Sequence, residues 1–211
     1  MKLTTTSYAI LGLLDLRDWT AYDLAQQAGR SLAYAWPVSE SQLYAEPKRL
    51  AEEGLLTISR AAAGPTRSRQ VYAITPPGRQ ALRDWLGEKP APPRIQAEVM
   101  LRCLFATSAN KAALASAIES TRQDVLDSYL GSIGFVEAYL DGDNPFPERL
   151  HANLPWMALV RDLHMTMLDW ADRTLEQIDG WTDTINGPPR AVVEAQLQEL
   201  PLPGHARGLQ D

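Results

Sequence analysis

Cysteine is almost missing: Cys103 is the one thiol in 211 residues, which excludes an intrachain disulfide and a cysteine-based zinc cluster within one chain. Histidine is scarce too. His151, His164 and His205 stand at no metal-binding spacing, and His164, between Leu163 and Met165, reads as a packed or interface residue. No run of 18 uncharged apolar residues occurs, so no membrane-spanning helix is expected. The opening MKLTTTSYAILGLLDL has some of the apolarity of a signal peptide, but it meets Asp15 and Arg17 and no small-residue cleavage site follows. A cytoplasmic protein is expected. A glycine-rich phosphate loop and a nucleophile elbow are both missing. The acidic stretch Asp141 to Asn144 lacks the twelve-residue ligand pattern of a calcium loop and reads as a turn. No cofactor, no metal and no enzymatic activity are expected; an enzyme using Cys103 is a thin alternative, because a mid-helix thiol is more often structural.

What is present is an ordinary globular composition, 45% hydrophobic, with an uneven charge distribution. The net charge of −6 argues by itself against nucleic acid. Residues 1–94, however, hold 12 Lys/Arg against 9 Asp/Glu, net +3, while residues 95–211 hold 8 against 17, net −9. The front of the chain is mildly basic and the back acidic.

Thr4 to Leu16 is apolar nearly all round, which predicts a helix buried on several sides. Thr20 and Asp23 form a capping pair for a second helix, which Gly29 is expected to end or kink. The third helix is the best marked. In PVSESQLYAEPKRLAEEGLL, Ser39 and Gln42 make a reciprocal capping box, Leu43 and Leu50 supply an inward side, and Gly54 is the expected C′ residue. Ser41, Gln42, Tyr44, Lys48 and Arg49 are the polar groups expected to face outward. Pro47 removes the bond to the carbonyl of Leu43, at about 3 kcal/mol. A kink near Tyr44 is therefore expected, dividing a front, Ser39 to Tyr44, from a rear, Lys48 to Gly54.

Two β-rich runs follow, around Leu56–Ile58 and Val71–Ile74, and read as a hairpin. Its turn, AAAGPTRSR, carries Thr66, Arg67 and Arg69 near the tip, with Arg60 on the incoming strand. Thr75-Pro76 then opens a fourth helix, with threonine as N-cap and proline at the first position. Helix, helix, capped helix, arginine-tipped hairpin, helix is the order of a winged helix-turn-helix. Residues 90–94 are a proline-rich linker. A helical unit over 95–180 follows: a short segment from Ile95 to Ala106, a long one capped by Ser108 and reaching Leu140, and another restarting at Asn153-Leu154-Pro155. Gly131 and Gly134 are expected to mark a bend or a close helix contact. A helix pair this long, with few partners of its own, is expected to complete its core against a second copy. Residues 181–211 form a tail with one short helix over 190–200.

YAILGLL, TAYDLAQ, SESQLYAEPKRLAEEGLL and VYAITPPGRQALRDWL together resemble the PadR family of bacterial transcriptional regulators, with the likeness running over residues 5–180 and MTMLDWADRTLE resembling the last helix of that family's helical domain. Pro47 departs from the pattern, which often has leucine there. The resemblance implies a mainly α fold with a small β-hairpin: an N-terminal winged helix-turn-helix, residues 1–89, plus a C-terminal antiparallel helical dimerisation domain. It also implies release from DNA by aromatic or amphipathic compounds entering an apolar space. Tyr139, Trp156, Met167 and Trp170 are candidates to line such a space, with plain core and dimer contacts as the competing reading.

The expected DNA contacts are Ser39, Ser41, Gln42, Tyr44, Lys48 and Arg49 on the third helix, and Arg60, Thr66, Arg67 and Arg69 on the wing. Gln42 suits adenine, Lys48 a phosphate, and the wing arginines the backbone or minor groove. The functional expectation is a homodimeric repressor on double-stranded, pseudo-palindromic operator DNA. The alternative is a winged-helix assembly module whose third helix packs on a protein.

Overall fold

The computed structural model describes residues 2–32, 36, 38–62, 68–108, 110–142 and 146–199. It divides the chain into two compact units, Met1–Pro93 and Arg94–Asp211.

In the first unit, α1 spans Thr5–Leu16 behind a capping box in which Thr4 and Ser7 exchange side-chain and backbone bonds. Ile10, Leu11, Leu13 and Leu14 are all buried, which fits a segment whose apolar residues are not confined to one stripe. Trp19 and Thr20 then form a two-residue strand, β1. The sequence gives no sign of it, because two residues carry no periodicity. The Trp19 indole ties it down by donating to the carbonyl of Leu13 at 2.9 Å.

Helix α2 covers Ala21–Ser31, with the Thr20 hydroxyl accepting from the Asp23 amide as expected. Gly29 neither ends nor interrupts it. A glycine costs a helix about 1 kcal/mol relative to alanine, less than the burial of Leu24 and Ala28 on the same helix supplies.

Helix α3 runs without interruption over Glu40–Glu52. Pro47 does not end the helix: it is fully buried, and apolar burial of its ring beside Leu43 and Leu50 offsets the missing backbone bond. The helix ends in a Schellman motif. Leu55 donates to Leu50 at 2.9 Å and Gly54 to Ala51 at 3.0 Å, and Gly54 takes a φ of 75°, which suits a residue without Cβ.

Strands β2, Leu56–Ala62, and β3, Ser68–Ile74, form the antiparallel hairpin, and β1 adds to the other edge of β3 to give the order β1-β3-β2. Helix α4, Pro76–Gly87, begins on the Thr75 cap with prolines in its first turn, and Trp85 stacks on Tyr8 of α1 at 4.8 Å. The unit is a winged helix-turn-helix.

The second unit holds α5, Glu98–Leu104, a 3-10 turn at Ala106–Ser108, α6, Lys111–Leu140, α7, Leu150–Asp179, and α8, Arg190–Glu199. Asn110, not Ser108, caps α6, because its Oδ1 is the atom placed to accept from the Ala113 amide, at 2.7 Å. Helix α7 starts at Leu150 rather than at Asn153. Pro155 lies inside its second turn, where one lost bond leaves the rest of a 30-residue ladder intact. Both Gly131 and Gly134 sit inside an unbroken α6, and a Cβ at Gly134 would meet nothing within 4 Å, so no helix approaches closely there.

Three polar links join α6 to α7. Lys111 Nζ donates to the carbonyls of Asp179 and Trp181, Arg122 pairs with Asp172 at 2.5 Å, and Ser128 bonds His164 at 2.9 Å. Rising numbers on α6 meet falling numbers on α7, so the pair is antiparallel. His164 is thus a satisfied structural residue, since its Nδ1 also bonds the carbonyl of Val160. The core is Val99, Ala106, Leu114, Ile118, Ala171 and Ile178. It occupies one end of the hairpin. Toward the other end Leu130, Leu140, Leu154, Leu159 and Leu163 are exposed, from 48% to 79%. No helix among the described residues is long and apolar enough to cross a membrane.

Candidate nucleic-acid interface

The helical period of 3.6 residues sorts α3 into faces. Leu43, Pro47 and Leu50 are buried, whereas Ser41, Ala45, Lys48 and Glu52 are exposed at spacings of four, three and four and so form one outward stripe. Tyr44 flanks it, half-buried. Lys48 is exposed and makes no ion pair among the described residues. Polarity alone misses Ala45, and Glu52 is not among the outward groups expected; counting four, seven and eleven from Ser41 would have found both.

Ser39 and Gln42 carry the reciprocal cap. The Ser39 amide donates to Gln42 Oε1 at 3.3 Å, and the Gln42 amide to Ser39 Oγ at 3.4 Å. Ser39 Oγ also donates to Gln42 Oε1 at 3.0 Å. The Gln42 carboxamide oxygen is therefore in use within the protein, and a bidentate contact to adenine would require it to leave the cap.

Arg49 departs from the outward face expected of it. Its Nε donates to Glu46 Oε2 at 2.9 Å, its Nη1 to Glu53 at 2.8 Å, and its Nη2 to the hydroxyl of Ser7 at 2.9 Å and to Glu46 Oε1. Ser7, completely buried on α1, donates in turn to Glu46 Oε1 at 2.5 Å. The Arg49 guanidinium, through these hydrogen bonds, holds the Glu46 carboxyl below its ordinary range, and Glu46 raises the Arg49 pKa in return. The cation faces α1 because two carboxylates and a buried hydroxyl satisfy it there.

On the wing, Arg60 lies opposite Gln70, and Arg69 opposite Ala61. Side chains alternate along a strand, so Arg60 shares the face of Ile58 and Tyr72, and Arg69 the opposite face with Ser59 and Val71. Both arginines are exposed. They flank the ribbon on its two faces, an arrangement suited to phosphates on either side of a groove. Thr66 and Arg67 lie outside the described residues.

The joint between α3 and the wing is closed by Thr75. Its amide donates to the Leu55 carbonyl at 3.1 Å, and its hydroxyl sits 2.8 Å and 2.9 Å from the carbonyls of Gly54 and Leu55 while accepting from Gly78. The start of α4 is thus bonded to the exit of α3.

In the second unit, Tyr139, Trp156, Met167 and Trp170 are all half-buried. Trp170 packs on the hydrophobic core of that unit, and burial pushes the Tyr139 phenol up. A groove of about 590 Å³ lies elsewhere, between α5 and α6, lined by small and polar residues such as Ser116, Ser120 and Asp124, and none of the four aromatic or methionine candidates borders it. Burial also raises the Cys103 thiol, the reverse of what activates a nucleophile.

Residues 10–84 match the family model described as Transcriptional regulator PadR-like family. The Negative transcriptional regulator PadR of Bacillus subtilis (strain 168) is 35% identical over 99 residues, 46% of this chain, and the match spans 54% of that relative's length. Among solved structures, Bacillus subtilis PadR in complex with operator DNA superposes with a TM-score of 0.70 at 24% identity, over 83% of this chain and 99% of that one. The same Bacillus protein in complex with p-coumaric acid gives 0.65 at 24% identity, over 83% and 99%. At these identities the two structures speak for the fold, and the family model and the 35% relative for the N-terminal residues. The N-terminal winged helix is thus similar to the PadR-like family of transcriptional regulators over residues 10–84, and the match to the curated relative spans about half of that relative's length.

Proposed function

We propose that the protein is a sequence-specific DNA-binding regulator that acts as a homodimer, represses by occluding a promoter, and responds to a small aromatic or amphipathic effector. The observation that carries the DNA-binding part is the outward stripe of α3. Ser41, Ala45 and Lys48 are exposed on the side of the helix away from its apolar anchor, on an element fixed at both ends by a capping box and a Schellman turn. Such a helix presents short polar and methyl groups to base edges and one ammonium to a phosphate. Arg60 and Arg69, with Arg67, supply the salt-dependent grip on the backbone.

The homodimer is supported by the exposed leucines at one end of the α6–α7 hairpin, because large apolar side chains left open in number on one unit are a mark of an interaction surface. A twofold dimer sets two recognition helices about 34 Å apart, one turn of DNA, and so calls for a pseudo-palindromic operator. The effector part is supported by Tyr139, Trp156 and Met167, half-buried in the helical unit, and by the complex of Bacillus subtilis PadR with p-coumaric acid.

Selection of bound DNA from a random pool, followed by salt titration of the winner against random DNA, tests the reading. A palindromic consensus with a steep loss of affinity in salt supports it. Binding that ignores both sequence and salt would assign the third helix to a protein partner instead. Replacing Arg67 and Arg69 by alanine should lower the salt slope by about 2; an unchanged slope removes the wing from the interface. For the effector, tryptophan quenching by hydroxycinnamates must coincide with loss of DNA, and quenching without release counts against regulation.

A further inference from the structure

The apolar anchor of α3 leaves one degree of freedom loosely set. Leu43, Pro47 and Leu50 are buried, but apolar burial is non-directional and a helix can roll on such a seam at little cost. The roll angle decides where Ser41, Ala45 and Lys48 point.

What fixes it is a directional contact on a third face. Glu46, Arg49 and Glu53 lie three, four and seven residues apart, and at 100° per residue this stripe sits roughly a quarter-turn from the outward stripe, between it and the side on which Leu43 and Leu50 project. Glu46 receives Arg49 as a fork, Nε to Oε2 and Nη2 to Oε1. The fork is locked to α1 through Ser7, whose hydroxyl donates to Glu46 and accepts from Arg49. That hydroxyl also accepts from the Thr4 amide at 2.8 Å, so its single proton and both lone pairs are committed. Among the described residues Ser7 is the buried polar residue of the core. A bidentate pair on a saturated, buried hydroxyl tolerates little rotation, and buried polar contacts of this kind are best attested as devices that fix register.

We infer that Glu46, Arg49 and Ser7 are positioning residues for DNA recognition: they set the roll of α3 against α1 and thereby aim the outward stripe, without touching DNA themselves. The inference rests on the DNA-binding reading above. It also explains why Arg49, next to Lys48 in the chain and likewise a cation, is turned away from the outward face.

Full-length wild type, Glu46→Gln, Ser7→Ala and Lys48→Ala are compared for binding to the sequence that wild type selects and to random DNA, with thermal melts on the same samples. Glu46→Gln keeps the shape and removes the charge; Ser7→Ala keeps the ion pair and removes its tie to α1. Both should lower the ratio of specific to random affinity by about tenfold or more while leaving the salt slope unchanged, because the phosphate contacts remain. Lys48→Ala should instead lower the slope by about 1. A merely structural role would lower the melting temperature and leave the ratio at temperatures below it unmoved. That result overturns the inference, as does an equal loss on both DNAs. Should Glu46→Gln fail to fold, Ser7→Ala alone decides. If wild type selects no sequence, the DNA-binding reading has failed and this one with it; if wild type selects and the variants keep its ratio, only the positioning role has failed.

Discussion

Gly78→Ala places a methyl group where the exit of α3 meets the start of α4. A Cβ built on Gly78 stands 2.3 Å from the carbonyl oxygen of Leu55 and 2.9 Å from Cγ1 of Ile74. The Ile74 side chain can give way; the Leu55 oxygen cannot do so cheaply, because it is backbone and accepts from the Thr75 amide. Relieving the clash requires α4 and the α3–β2 turn to separate, which overpacking data put at about 3 kcal/mol, with the Thr75 bonds weakened as well. Against this stands a gain of about 1 kcal/mol from replacing glycine with alanine in a helix. The clash wins by about 2 kcal/mol. For a unit of this size that corresponds to a fall in melting temperature of roughly 10–15 °C. Calorimetry or circular dichroism of the full chain reads it directly. Gly29→Ala is the control: a Cβ there meets nothing within 4 Å, so the same substitution should raise stability by about 0.5–1 kcal/mol. Equal behaviour of the two variants would show that the close approach at Gly78 does not exist.

Three further outcomes are expected. Tyr72 is fully buried and its hydroxyl has no hydrogen-bond partner among the described residues, so Tyr72→Phe should stabilise by about 1 kcal/mol in urea titration, whereas a comparable loss would reveal a partner. Glu46 has a folded-state pKa below its ordinary value, so its contribution is present at neutral pH and disappears as the pH falls through and below about 4.3. Melting temperature against pH should therefore drop more steeply for wild type than for Glu46→Gln below that point, and parallel curves would rule out the ion pair as a stabilising contact. Lys111 closes the C-terminus of α7 by donating to the carbonyls of Asp179 and Trp181, where a cation also opposes the helix dipole. Lys111→Met should cost about 1 kcal/mol in the melting of the helical unit, and no change would mean that water replaces the ammonium at no loss.

The chain by itself determined whatever depends on neighbours within a few residues. Ser39 with Gln42, Thr20 with Asp23, Thr75 with Pro76 and the C′ glycine Gly54 are all local chemistry, and each marks a boundary where the structure has one. The alternation around Leu56–Ile58 and Val71–Ile74 likewise announced the hairpin. Even local rules misled where one competing cost was overvalued: Pro47, Gly29 and Pro155 all lie inside continuous helices, because packing or the remaining ladder outweighs one missing bond at each proline and the backbone entropy lost at the glycine. Ser108 was a plausible cap that Asn110, two residues on, displaced. Tertiary structure alone decided the rest. The strand at Trp19 exists because Tyr72 and Val71 lie beside it. The hairpin register puts Arg60 and Arg69 on opposite faces. Arg49 reads as an outward-facing group from its sequence neighbours, and the fold instead bonds it to Ser7, 42 positions away in the chain. A side chain's direction is settled by whatever reaches it in space, and for a long cation on a partly buried helix that partner leaves no trace in the local pattern.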